Sequence, residues 1–250
     1  MSTAYAFLTK KPNNTLIKFA EDLYDKYKFD IYIFVDDNNY TLDKSKKINF
    51  IQIDNDECLN NNIRFTQEPF LYNVIKNQGK IVNSWDKAVY YFAYLNIDYN
   101  YVWFIEDDVF IGSIDALNYI DNKYPKYDLL AATNNISKEE EVKNNVWYWY
   151  YAVEVFGFPS YCSMACACRL SKELLKLVKE TSQQLGYVPY HEFSFNTLAM
   201  KNNLSVYCPK ELSTILFEKD WSLNDFKENK NNLFHPVKCY DNHDIYRSLI

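Results

Sequence analysis

Three adjacent carboxylates, Glu106, Asp107 and Asp108, interrupt YVWFIEDDVFIGS at 101–113, a run that is otherwise apolar and β-prone. Packed acids repel one another and are costly to desolvate, so a strand end that carries three of them needs a cation or solvent beside it. A divalent ion held there would take the carboxylate oxygens and offset their charge. The bland alternative is a solvated turn whose acids do no chemistry. Two further acids, Asp36 and Asp37, close the apolar run DIYIFVDD. The chain has three histidines, His191, His235 and His243, and LFHPVK sets Lys238 three residues after His235. PYHEFSFNTLA opens a helical pattern with Glu192, a position that either complements the helix dipole or presents a general base.

Composition narrows what these residues can serve. The chain has 250 residues, 48% of them hydrophobic and 18% aromatic, including 23 tyrosines, which is a globular composition able to bury a large core. Its net charge of −6 offers no basic surplus for nucleic acid or a membrane surface, and KSKK at 44–47 reads as a solvated loop. An anionic ligand on such a protein calls for a metal. No stretch is long enough for a transmembrane helix, and the apolar run in MSTAYAFLTKK is too short for a signal peptide. The six cysteines are therefore expected as reduced thiols in a cytoplasmic setting. Cys162, Cys166 and Cys168 in SYCSMACACRL read as small hydrophobes of one packed strand. Asparagine-rich usage and the lack of a targeting signal suggest a microbial, protist or giant-virus source.

The elements that must position these residues alternate. AYAFLT reads as a strand, Asn14 to Tyr27 as a helix of period 3.6, DIYIFVDD and INFIQID as strands, Ser84 to Leu95 as a helix, and YVWFIEDD as a strand. Ser113 to Asn122 is a short helix, DLLAATN a strand, SKELLKLVKETSQQL a helix capped by Ser171, YHEFSFNTLAMKNN a helix and LSVYC a strand. This order predicts one α/β domain, a mixed but mostly parallel sheet flanked by helices. In such sheets ligands gather at the carboxyl ends of strands, where Asp36 and the triplet fall.

An α/β half ending in a hydrophobic strand and an acidic triplet resembles the GT-A glycosyltransferases, whose DxD motif has this setting, here as Glu106-Asp107-Asp108. The resemblance implies a GT-A-like single domain over 1–250. Residues 1–112 would form the nucleotide-sugar and metal half, and 113–250 the acceptor half. It implies an Mn²⁺ or Mg²⁺ ion ligated by Asp108, with Glu106 and Asp107 acting through ribose or metal-bound water, and His235 as a C-terminal ligand. Lys238 would approach a phosphate. Thr9 and Asp36 would hold the nucleoside, Asp36 accepting the uracil N3–H, and Lys87 would lie near the diphosphate. The implied activity is transfer of a hexosyl or N-acetylhexosaminyl unit from a UDP-sugar to a glycan or other hydroxyl acceptor. Glu192 would be the base if configuration inverts, with Glu154 and Glu218 as substitutes. Trp147 and Trp149, in VWYWYYAVEVF, would stack on the acceptor, although that alternation also describes a half-buried strand. Two other classes remain open: a catalytically degenerate binding module, and a sugar nucleotidyltransferase. The latter usually shows a Gly-rich N-terminal loop that FLTKKPNN lacks.

Overall fold

Both faces of the central strands must be buried, because their sequences are apolar at every position rather than at alternate ones. In the computed structural model, which describes residues 2–42, 44–65, 82–95, 97–144 and 146–250, this is met by a sheet between two helical layers. Its seven strands are β1 (Thr3–Thr9), β2 (Asp30–Val35), β3 (Asn49–Ile51), β4 (Tyr101–Glu106), β6 (Leu129–Leu130), β9 (Ala167–Ser171) and β10 (Val206–Tyr207), in the spatial order β10-β6-β9-β4-β1-β2-β3. All neighbouring pairs are parallel except those of β9, which runs antiparallel to β4 and β6. Two short antiparallel pairs lie outside it: β5 (Phe110–Ile111) with β11 (Leu233–Phe234), and β7 (Asn135–Ile136) with β8 (Tyr161–Cys162).

Alternate residues of the central strands sort into two cores. Ala4, Ala6, Leu8, Phe34, Val102 and Phe104 pack under α3 (Ser84–Tyr94), α7 (Lys172–Leu185) and α8 (His191–Lys201). Tyr5, Phe7, Ile33, Val35, Trp103 and Ile105 pack under α1 (Asn14–Tyr27) and α4 (Ala116–Lys123). Burying each large apolar side chain contributes about 1.5–3 kcal/mol. Local signals set the helix starts: Asn13 accepts from the Leu16 N–H, Asn83 and Asp86 form a capping box, and Ser171 accepts from the Leu174 N–H. Further helices among the described residues are α2 (Asn55–Asn60), α5 (Glu139–Lys143), α6 (Trp149–Phe156), α9 (Leu223–Glu228) and α10 (His243–Leu249).

Two sequence readings need correction. VWYWYYAVEVF is not a strand: a 3₁₀ turn over Val146–Tyr148 leads into α6, with Trp147 and Tyr148 both at positive φ. SYCSMACACRL is not one strand but β8 and β9, separated by residues 163–166. The C-terminal tail ends in α10, which returns to the domain, its Tyr246 packing on Phe110 and Phe226.

Candidate functional site

Strand β4 delivers Glu106 to the carboxyl edge of the sheet, and the chain turns there through Asp107 and Asp108 into β5. Pairing of β5 with β11 then carries the C-terminal segment back, and two backbone links fix it. The Val237 N–H donates to the Asp108 carbonyl at 2.8 Å, and the His235 N–H to the Thr214 carbonyl at 3.0 Å. His235 is thereby brought beside the triplet. Its Nε2 lies 3.4 Å from Asp108 Oδ2 and 4.0 Å from Glu106 Oε2. Its Nδ1–H donates to the Leu216 carbonyl at 2.7 Å, which orients the ring with Nε2 facing the acids.

Each acid is held by a different neighbour. The Trp85 Nε1–H donates to Glu106 Oε1 at 2.8 Å, and Thr9 donates its hydroxyl to Asp107 Oδ2 at 2.5 Å. Asp108 Oδ1 is buried without a hydrogen-bond partner among the described residues. Burial, then the charge of Asp108, raises the Glu106 pKa. Burial also raises that of Asp107, against the opposing Thr9 bond. For His235 burial works against the charged form, but the hydrogen bond and charge of Asp108 outweigh it, and the net shift is upward. Clustered acids, a histidine Nε2 facing them and an orphaned buried oxygen together fit a divalent cation.

Glu192, on the first turn of α8, is 7% exposed and feels the charges of Glu106 and His235. Burial pushes its carboxyl up to about 7, with the negative charge of Glu106 adding to the shift; Tyr190 and the Ala165 N–H donate hydrogen bonds that oppose it. The substitutes Glu154 and Glu218 are exposed. A loop joins this acid to a second cavity of about 400 Å³, lined by Trp147, Trp149, Asn134, Ser163 and Met164. Within that loop the Ser163 N–H donates to the Glu192 carbonyl at 2.7 Å. The two indoles meet edge-on, centroids 5.2 Å apart; Trp149 is buried and Trp147 exposed.

On the opposite flank, Thr9, Lys10, Trp85, Asp107, Asp108 and Tyr240 line an open cavity of about 240 Å³. Asp36 is half-buried at the end of β2, where its N–H donates to the Thr9 carbonyl at 2.9 Å; burial raises its pKa while Lys87 opposes. Lys238 is exposed two residues from Tyr240. Lys87 is placed differently from the expectation of a diphosphate contact. It is fully buried, and its ammonium donates to the Val35 carbonyl at 3.1 Å, the Asp36 carbonyl at 2.7 Å and the Asn38 side chain. Those bonds engage all three of its protons, so it staples α3 to the end of β2 instead.

Sequence reasoning missed two residues here. Tyr240 lies in the tail and carries no motif. Cys166 reads as a small core residue and is buried, with its thiol pushed well up by burial and then by Glu106. Yet antiparallel pairing of β9 on β4 lets the Glu106 N–H donate to the Cys166 carbonyl at 2.9 Å, and the donor atoms of Glu106, Cys166 and His235 all lie within 4.8 Å of one another.

No family model and no curated protein matches the chain. Among solved structures it is similar to the galactosyltransferase LgtC in complex with donor and acceptor sugar analogs, at 10% identity and a TM-score of 0.47, over 99% of this chain and 95% of that one. It is also similar to the bifunctional IspDF from Campylobacter jejuni, at 11% identity and a TM-score of 0.43, over 91% and 54% of the two chains. A third is the apo form of mouse xyloside xylosyltransferase 1, at 12% identity and a TM-score of 0.36, over 83% and 84%. At such identities and scores, the assignment of function rests with the site itself.

Proposed function

We propose that the protein is a metal-dependent glycosyltransferase of GT-A type that moves a sugar from a nucleotide-sugar, a UDP-sugar by preference, to a glycan or other hydroxyl acceptor with inversion. The observation that carries this is the convergence of Asp108 and Glu106 on the His235 Nε2 at the carboxyl edge of a mostly parallel sheet, with buried Glu192 within reach of the charges of Glu106 and His235.

In this reading Asp108, Glu106 and His235 hold Mn²⁺ or Mg²⁺. The bound ion would neutralise the diphosphate, which carries about two negative charges, and stabilise the charge that grows as it leaves. Trp85 and the Leu216 carbonyl orient Glu106 and His235, so the ligands need little reorganisation. Thr9 fixes Asp107 toward the ribose side, Asp36 and Tyr240 flank the nucleoside, and Lys238 reaches for a phosphate. The 1–112 half supplies most donor contacts and the 113–250 half the acceptor contacts, with Trp147 and Trp149 offering ring faces to a sugar. Glu192, held near neutrality, takes the proton of the acceptor hydroxyl; a base whose pKa lies near the working pH combines availability with proton affinity.

Calorimetry with UDP tests the reading. UDP should bind in the presence of Mn²⁺ and bind far more weakly after chelation. Absence of any nucleotide binding in either condition would overturn it in favour of an interaction module.

A further inference from the structure

Cys166 is the one member of the cluster to which the proposed transfer assigns no task. Its position is built by tertiary pairing: β9 crosses β4 antiparallel, and the bond from the Glu106 N–H to the Cys166 carbonyl locks the two residues side by side. The thiol, a Glu106 oxygen and a His235 ring nitrogen lie within 4.8 Å of one another, and Asp108 Oδ2 is 3.4 Å from the same histidine. Asp108 Oδ1, buried and unpartnered among the described residues, is a further donor without an occupant of its own. A sulfur beside an imidazole and two carboxylates is not the donor set that Mg²⁺ or Mn²⁺ selects. Thiolate and imidazole ligands select Zn²⁺ and its congeners, held by four protein ligands at about 2.0–2.3 Å.

We infer that Cys166 completes a four-ligand site, with Glu106, Asp108 and His235, for a thiophilic divalent cation of the Zn²⁺ and Cd²⁺ class. When the metal–sulfur bond forms, the S–H proton leaves to solvent and no electron is transferred. The inference rests on the metal reading of this site, though not on sugar transfer. Hard ions would use the oxygen and nitrogen donors, and soft ions would recruit the sulfur as well.

Cd²⁺ is the probe, because a cadmium–thiolate bond gives an ultraviolet charge-transfer band that oxygen and nitrogen ligands do not. Titrating the metal-stripped full chain should give a band that saturates at one equivalent. Cys166→Ser should abolish that band and weaken Cd²⁺ binding by at least about tenfold, with Mn²⁺ affinity changing much less. Cys208→Ser, at the far edge of the sheet, should leave the band intact. Cys166→Ala provides the same comparison if the serine variant does not fold. A band that survives loss of Cys166, or its absence from the wild-type chain, overturns the inference. UDP binding distinguishes the two readings: a Cys166-dependent band without nucleotide binding removes only the transferase reading. Mn²⁺-dependent UDP binding without the band removes only the thiolate ligand.

Discussion

Glu192→Gln should make the protein more stable and less active at once, and the two effects should carry different pH signatures. The carboxyl is held at about 7, against 4.5 for an ordinary glutamate, chiefly by burial. A folded-state pKa above the unfolded one means that the native state binds the proton more tightly. The corresponding stability is fully present below pH 4.5 and is lost as pH rises through 7. Ionising such a group at pH 8 costs the fold about 3 kcal/mol relative to an exposed glutamate. Glutamine is similar in size, keeps an acceptor for the Tyr190 and Ala165 donors, and never ionises. At pH 5 the variant should therefore unfold close to wild type, whereas at pH 8 it should gain up to about 3 kcal/mol, or several degrees in Tm for a chain of this length. Denaturant unfolding of metal-free protein at both pH values measures the difference. Neighbouring groups titrate in both proteins and largely cancel. Acceptor transfer, once a donor is found, should fall by roughly 10²–10⁴ in the variant, with UDP and Mn²⁺ affinity near wild type. In the wild type, transfer should rise with pH through about 7 as the base ionises. Parallel stability curves for the two proteins would refute the buried-carboxylate argument, and full transfer activity would refute the base.

The metal ligands make sharper binding predictions. Asp108→Ala should abolish the Mn²⁺ dependence of UDP binding without loss of fold, since it removes a repulsive neighbour of Glu106; Mn²⁺-stimulated binding in that variant would remove the central claim. His235→Ala should weaken Mn²⁺ by at least about tenfold, or 1.4 kcal/mol, in a direct titration. Because Asp108 raises the His235 pKa above 6.5 and a ligand imidazole must be neutral, wild-type Mn²⁺ affinity should already decline as pH falls toward 6.5, and a flat titration between pH 8 and 6 would contradict this. Lys87→Met leaves two strand-end carbonyls without their donor, so it should cost about 2–4 kcal/mol in denaturant unfolding while UDP affinity is retained. A lost UDP affinity in a folded Lys87→Met would return this lysine to the diphosphate.

Much of the fold is legible in the sequence because its causes are local. The strands AYAFLT, DIYIFVDD and YVWFIEDD are apolar on both faces, and that alone calls for covering layers on each side. Ser171 marks a helix start that the structure repeats, and the helices read from Asn14 and Ser84 begin at those residues. The acids at the end of β4 stand out because charge at the close of a buried strand needs a reason. What the sequence misjudges depends on contacts between distant segments or on a local pattern with no contrast. The aromatic run has rings at every position from 147 to 151, so its period selects neither strand nor helix, and the paired positive-φ residues Trp147 and Tyr148 start α6 instead. Lys87 carries no local mark of burial; only the docking of α3 against β2 engages its ammonium with the strand end. Nothing near Cys166 points to Glu106, and nothing near His235 points to Asp108: the β4–β9 and β5–β11 pairings make those neighbours. Caps and periodicity act over one or two turns of chain, whereas ligand geometry and the pKa of Glu192 come from which surfaces pack together and exclude water, and these only the tertiary structure decided.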